Sequence, residues 1–365
     1  MPIIDADTHV DETEDTWEYM ERNEAQFKPY YQRSKNFDPS RPTGSGHYWI
    51  IEGKRQRRRV RTDEATGTTR ECRELLDVKA RLLHMDQLGV DVHVIYPTLF
   101  ATEFTETAEV ELALRKSYNR WIADRTGQFR EARERLRWVM LPPVLSMDKA
   151  LEEMRWAKEN GACGVLKKGD KEAGHWPAEQ YFFPLYEEAE RLDLTVCFHL
   201  GGGLPDHTPA WQFDHVAFMQ TRAPIMNAFH ALVTFSIPKK FPQLRFAFVE
   251  LGACWIPYVV YTLKRAKERR IFAEGGISHA DYFLGQNILE ENRFYVTCQI
   301  DEDLPYILRF TGEDHLMVGS DYSHSDASRE GNFPARIREW AERGLIRTEA
   351  ARKILYDNPK TCYHL

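Results

Sequence analysis

Residues 3–9 read Ile-Ile-Asp-Ala-Asp-Thr-His, in which 3–7 form a short run of strand character that turns polar at its C-terminal end. Seven further runs share its character, at 91–98, 136–144, 163–168, 195–200, 244–251, 294–300 and 316–322. They are short, rich in Val, Ile and Phe, and mostly apolar on both faces, which is the pattern of parallel strands buried on both sides. Helical patterns fall between them. Residues 75–88 place Leu75, Val78, Leu82, Met85 and Leu88 near a 3.6-residue period, and Gly89 follows where glycine ends a helix. Similar patterns cover 108–122, 150–157 (closed by Gly161), 181–192, 256–267, 304–310 and 335–345. This alternation predicts an α/β chain folded as a (β/α)8 TIM barrel. A doubly wound open sheet is disfavoured, because no GxGxxG follows the first run.

The composition narrows the function classes. The chain has 365 residues, 42% hydrophobic and 29% charged, with net charge −7 and nine Trp. No apolar run reaches the ~18 residues of a membrane span, and the start MPIIDADTHV lacks the basic and apolar regions of a secretory signal. Neither a membrane nor nucleic acid is expected as a partner, the mild acidic excess giving no basic footprint for the latter. The six cysteines include no CxxC pair, and four lie in or beside apolar runs. A disulfide framework is therefore not expected, and a reducing cytoplasm fits.

The chain is expected to be a single barrel over 1–365, with an insertion at 10–74 that lies over the barrel mouth or at a subunit interface. The insertion holds Trp17, Tyr19, Phe27, Tyr30, Tyr31, Tyr48 and Trp49, and the basic run KRQRRRVR at 54–61. Loops after the strands of such a barrel sit on its catalytic face. The run therefore either steers anionic substrates or forms a solvated hairpin answered by Asp63 and Glu64. Trp17, Tyr48, Trp49 and Trp255 suit a planar ligand, and core packing explains them equally well.

Four runs end in residues able to bind metal: Asp7 and His9 on the first, His199 on the fifth, Glu250 on the sixth and Asp321 on the eighth. Residues two apart on a strand face one way, so Asp7 and His9 both point into the mouth. Imidazole and carboxylate converging from separate strands suit a divalent ion such as zinc or manganese. A buried charge without a partner is costly, and a metal supplies one. Taken singly, each residue has an ordinary structural role. His324, three residues beyond Asp321, is a candidate for the pocket lining. His47, His84, His93, His315 and His364 read as structural, while His175, His207, His215, His230 and His279 fall in loops or helices.

These residues resemble the amidohydrolase superfamily, specifically the amidohydrolase-2 group typified by aminocarboxymuconate-semialdehyde decarboxylase. The matching pieces are IIDADTHV, MDQLGVDVHVIYPT, CFHLGGG, FPQLRFAFVELGACWIPY, VGSDYSHSD and DNPKTCYHL, which span nearly the whole chain outside the insertion. The resemblance implies a deformed barrel with one catalytic divalent metal. It carries the ligand roles onto Asp7, His9, His199 and Asp321, with zinc the first expectation and manganese or magnesium open. Asp7 stands where the group has a histidine, and Glu250 where many members have one. Glu250, His199 and Asp321 form the catalytic set, and the part Glu250 plays is open between metal binding, substrate orientation and proton transfer. Lys168, His324 and Trp255 are the substrate-binding candidates, Lys168 as a contact for a substrate carboxylate.

The resemblance implies a metal-dependent non-oxidative decarboxylase of an aromatic or unsaturated carboxylic acid, acting on a small-molecule carboxylate. The alternative is a metal-dependent hydrolase of an amide, lactone or carbon–carbon bond, using a metal-activated water with Asp321 as base. A non-catalytic barrel is the remote third. A homodimer or higher homo-oligomer is expected.

Overall fold

The computed structural model of the chain describes residues 1–34, 46–101, 103–201, 217–269, 285, 287–325 and 329–365. Eleven strands are seen among them: β1 (Ile4–Val10), β2 (Tyr30–Arg33), β3 (His47–Ile51), β4 (Lys54–Arg57), β5 (Val92–Pro97), β6 (Leu136–Met140), β7 (Ala162–Lys167), β8 (Thr195–His199), β9 (Phe246–Val249), β10 (Phe294–Cys298) and β11 (Leu316–Val318). β1 and β5 to β11 pair in chain order into one sheet of eight parallel strands that is nearly closed into a barrel. β2, β3 and β4 form a separate antiparallel sheet within the insertion.

A helix follows each barrel strand: Val78–Leu88, Ala108–Gly127, Met147–Glu159, Phe183–Arg191, Ala217–Thr234, Ile256–Arg269, Leu304–Thr311 and Phe333–Glu342. Asp77 caps the first of these by accepting from the N–H groups of Lys79 and Ala80. Gly89 ends it in the left-handed conformation at φ 69°, the turn a glycine makes without a Cβ penalty. The expected strands and helices are all present, with shifted ends. β1 runs through Val10 rather than stopping at residue 7. The helix Ala217–Thr234 has no counterpart in the sequence reading, because it carries a proline at position 224 and exposes Phe218 and Met219 while burying Ile225 and Phe229. Among the described residues no helix is long and apolar enough to cross a membrane.

Closure depends on the seam between β11 and β1. Just past β11, the Asp321 N–H donates to the Asp7 carbonyl at 3.0 Å and the His9 N–H donates to the Tyr322 carbonyl at 2.9 Å. The buried Asp5 carboxylate adds to this, accepting from the Ser320 N–H at 2.8 Å and from the Ser320 hydroxyl. Burial pushes Asp5 up to about 7, against the pull of those Ser320 bonds. The two chain segments meet without room for a side chain. A Cβ on Gly319 would lie 2.3 Å from the Asp7 Cβ and 2.9 Å from its backbone nitrogen.

Trp17 and Trp49, each 1% exposed, cross edge to face at 5.7 Å beside Phe100. They belong to the core, while Tyr30 and Tyr31 on β2 are exposed. The insertion is also tied down by Lys116 to Glu21 and Arg125 to Asp15, both reaching from the helix Ala108–Gly127.

Gly319→Ala adds one methyl group at the seam and removes nothing. Overpacking against backbone is expected to cost about 1–3 kcal/mol in urea unfolding. Unchanged stability would show that the seam opens freely.

Candidate metal centre

The first two donors come from an irregularity in β1. Asp5 pairs with His93, but Thr8 then pairs with Ile95 and His9 with Tyr96, so β1 fits one extra residue between Asp5 and Thr8. Such a bulge twists a strand and re-aims its side chains. Asp5 turns to Ser320 in the seam, while Asp7 faces His199 across the mouth.

The donor atoms then gather tightly. Asp7 Oδ1 lies 3.4 Å from His9 Nε2 and 3.2 Å from His199 Nε2, and His9 Nε2 lies 3.4 Å from Asp321 Oδ1. All four residues are buried. Ligands about 2.1 Å from one ion stand roughly 3.0 Å apart in an octahedron and 3.4 Å apart in a tetrahedron. These three spacings are of that size, and the donor atoms of Asp7, His9, His199 and Glu250, like those of His9, Asp321 and His324, lie within 4.8 Å of one another, so the mouth can hold a divalent cation. One orphan atom supports the same fit. His9 Nε2 is buried and finds no hydrogen bond, only the two carboxylates.

The imidazoles are aimed by their other nitrogens. His9 Nδ1 sits 3.0 Å from the Pro97 carbonyl and His199 Nδ1 sits 2.8 Å from the Leu200 carbonyl. A carbonyl only accepts, so Nδ1 carries the proton in each ring and Nε2 faces the centre. Glu250 Oε2 stands 3.4 Å behind His199 Nδ1. Burial opposes a charge on His199, yet the Asp7 carboxylate, with Glu250 behind, lifts its pKa to about 9 in the absence of a metal ion. Burial likewise opposes ionisation of Asp7, but His199 and His9 hold its carboxyl well below the usual range. Burial drives His9 down to about 4.

Asp321 and Glu250 share an uncommon backbone. Asp321 has φ 52° and Glu250 φ 68°, and Ser323 follows at 76°. Left-handed conformations are rare for residues other than glycine, and such strain collects at functional sites. The Glu250 N–H is held by donating to Thr297 Oγ1 at 2.9 Å. His324 Nδ1 lies 2.7 Å from Asp321 Oδ1, its Nε2 lies 3.0 Å from Thr98 Oγ1, and its ring stacks on His9 at 3.9 Å. Burial keeps His324 far below its ordinary pKa and therefore neutral. The structure thus brings Asp7, His9, His199 and Glu250 together, with Asp321 and His324 joined to them through His9.

Lys168 and Trp255 are not part of that cluster. Trp255 packs against Phe229 and Phe248 and donates its indole N–H to the Gly252 carbonyl at 2.7 Å. Lys168 lies just beyond β7, with its side chain 7% exposed. Two arginines of the basic run pair with acids other than the expected Asp63 and Glu64, and Asp63 pairs with Arg73 instead. Arg58 pairs with Glu14, and Arg61 with Asp11. Arg58, Arg59 and Arg61 line a cavity of about 280 Å³ together with Asp11, Glu12, Arg70 and Arg73. His207, His215 and His279 lie outside the described residues.

Arg81 is the residue that sequence reasoning missed. It is fully buried under β1 and donates to the His9 carbonyl at 2.8 Å and to Thr8 Oγ1 at 3.2 Å. Its guanidinium lies 4.4 Å from the Tyr322 ring centre and 3.2 Å from His93 Nδ1. A signal existed, since Val78, Arg81, Leu82 and Met85 share one face of a helix.

Comparison with known proteins gives the following. The amidohydrolase family model matches residues 4–365. No curated protein matches the sequence. Among solved structures, an amidohydrolase of Mycobacterium avium subsp. paratuberculosis superposes with a TM-score of 0.72 at 17% identity, covering 98% of this chain and 97% of its own. The 5-carboxyvanillate decarboxylase of Sphingomonas paucimobilis gives 0.65 at 14% identity, covering 100% and 99%. A dihydroxybenzoic acid decarboxylase of Polaromonas sp. JS666, with bound manganese and the inhibitor 2-nitroresorcinol, gives 0.64 at 17% identity, covering 100% and 97%. At these identities the likeness is one of fold.

His9→Ala and His199→Ala each remove a nitrogen donor. Either change is expected to weaken binding of a divalent ion by about 100-fold or more, read by metal titration followed by elemental analysis. Wild-type stoichiometry in both variants would rule this cluster out as the metal site.

Proposed function

The chain belongs to the amidohydrolase family, and from that membership and the geometry of its mouth we propose that this enzyme is a metal-dependent, non-oxidative decarboxylase of an aromatic or unsaturated carboxylic acid. The observation that carries the reading is the set of coordination-sized spacings joining Asp7, His9, His199 and Asp321. These four residues would hold the ion. Two imidazoles and two carboxylates suit zinc and manganese alike. When bound, the ion supplies positive charge that draws electrons from a substrate carboxylate and an adjacent hydroxyl.

The remaining work falls to the chain's own groups. Asp321 is the proton carrier in this reading. Its Oδ1 is 2.7 Å from His324 Nδ1, and its backbone is fixed by the seam bond to Asp7. As the bond between the ring carbon and the carboxylate carbon breaks, carbon dioxide leaves. The carbon it leaves takes a proton, which Asp321 delivers and recovers from water. A π electron pair of the hydroxyl-bearing substrate forms the new carbon–hydrogen bond with that proton, and the electron pair of the broken carbon–carbon bond restores the conjugated system, so no organic cofactor is needed. His324, neutral and stacked on His9, holds the Asp321 carboxylate at a fixed angle. Glu250 acts on His199 from behind and is a positioning residue here.

Two measurements test this reading. Metal-loaded protein is expected to release carbon dioxide from members of a panel of hydroxybenzoate-like acids, and release from none of them would count against it. Incorporation of oxygen-18 from water into product would instead support hydrolysis. Asp321→Asn is expected to retain metal within several-fold while losing about 100- to 10,000-fold in turnover, the range of a lost general acid–base group. Full turnover in that variant would remove Asp321 from the proton-carrying role.

A further inference from the structure

The last residues of the chain reach the floor of the metal centre. The short helix Asn358–Tyr363 is bonded to the strands that carry the donors, at the end opposite the mouth. Asn358 Nδ2 donates at 2.7 Å to the carbonyl of Leu316, which opens β11. Thr195, which opens β8, donates its hydroxyl to the Cys362 carbonyl. Arg245 Nε, one residue before β9, donates to the same carbonyl at 2.9 Å.

Tyr363 goes further in. It is buried, and its hydroxyl donates to the Ala6 carbonyl at 3.1 Å, in the bulged stretch of β1 that also holds Asp7. The hydroxyl of Tyr96, on β5, lies 2.7 Å from it. A hydroxyl has one proton and a carbonyl only accepts, so Tyr363 gives its proton to Ala6 and receives that of Tyr96. Tyr96 is buried and stands opposite His9 in the register of β1 and β5. Its ring centre is 4.7 Å from that of His199 and 6.2 Å from that of His9. The Pro97 and Leu200 carbonyls hold each imidazole by one nitrogen only. A ring held at one atom can still rock about it, and in a close-packed interior the neighbouring side chain is what stops it. Tyr96 is that neighbour, and Tyr363 fixes it at its far end.

We propose that Tyr363 is a positioning residue for the metal centre. Through Tyr96 it sets the tilt of His199 and His9, and through Ala6 the place of Asp7, so the affinity for the ion depends on the C-terminal end of the chain. The inference rests on the ion sitting among Asp7, His9, His199 and Asp321, and not on the reaction proposed for it.

The test is manganese titration of the metal-free, full-length protein, with the free ion read by electron paramagnetic resonance and the melting temperature of the metal-free form read beside it. Tyr363→Phe removes one oxygen and keeps the ring. It is expected to weaken manganese binding about tenfold. Tyr96→Phe leaves the bond to Ala6 in place and should weaken binding about fivefold. The double variant should match Tyr363→Phe within about twofold, because both changes break one chain of contacts. Tyr186→Phe is the control. Tyr186 is equally buried, and its hydroxyl donates to the Pro177 carbonyl at 2.7 Å rather than to the tail. That variant is expected to lower the melting temperature similarly and to leave manganese affinity unchanged. Affinity within twofold of wild type in Tyr363→Phe overturns the proposal, as does a loss in Tyr186→Phe equal to that in Tyr363→Phe. If Tyr363→Phe does not fold, wild-type affinity in Tyr96→Phe overturns it equally. Failure of the centre itself looks different and removes both: His199→Ala would then bind manganese as wild type does. With the centre right and the proposal wrong, His199→Ala loses the ion and the tyrosine variants keep it.

Discussion

Two backbone hydrogen bonds, from Asp321 N to the Asp7 carbonyl and from His9 N to the Tyr322 carbonyl, join the last barrel strand to the first. The residues that make this seam also carry three of the four donor side chains of the candidate centre. Closing the barrel and building the centre are therefore one event. A strand that failed to dock would separate Asp321 from Asp7 and His9 and leave the donors of β1 and β8 without it. Gly319 makes the close approach sterically possible, and the Asp5 carboxylate adds side-chain bonds to Ser320 where the ladder between the strands is short.

The seam concentrates charge in a place that water does not reach. Asp5, Asp7, His9, Arg81, His93 and Asp321 are all nearly or fully buried within a few residues of it. Burying charge is tolerable only where each group has a partner. Arg81 serves the backbone, donating to the His9 carbonyl, and so fixes the strand from which His9 projects. The carbonyls of Pro97 and Leu200 orient the two imidazoles. What remains is an inward-facing set of lone pairs and negative charge, with His9 Nε2 lacking a hydrogen bond. A divalent ion is the partner that this arrangement fits.

Much of this is legible in the sequence, and the exceptions have physical causes. Eight runs of buried-strand character mark the barrel, and their polar ends mark Asp7, His9, His199, Glu250 and Asp321, because a polar residue closing an apolar run must meet something. The two-residue strand period, however, treats Asp5 and Asp7 as equivalent. The bulge separates them, and a bulge leaves no mark in residue order alone. Arg81 is easily passed over because its charge suggests solvent, although its place on the helix face of Val78, Leu82 and Met85 points to the core. The helix Ala217–Thr234 hides because apolar residues surround it and a proline interrupts it. Trp17 and Trp49 show the opposite limit. Their composition suits a ligand and a core equally, and only their packing at 1% exposure assigns them to the core.

The central claim is that one divalent ion sits among donors from β1, from β8 and from the turn after β11. Anomalous diffraction at the metal's absorption edge, on crystals grown with manganese, tests it most directly. The account predicts a single strong peak within about 2.0–2.3 Å of Asp7, His9, His199 and Asp321 donor atoms. A peak bound instead through Glu250 and His324, or a peak remote from the seam, would contradict it.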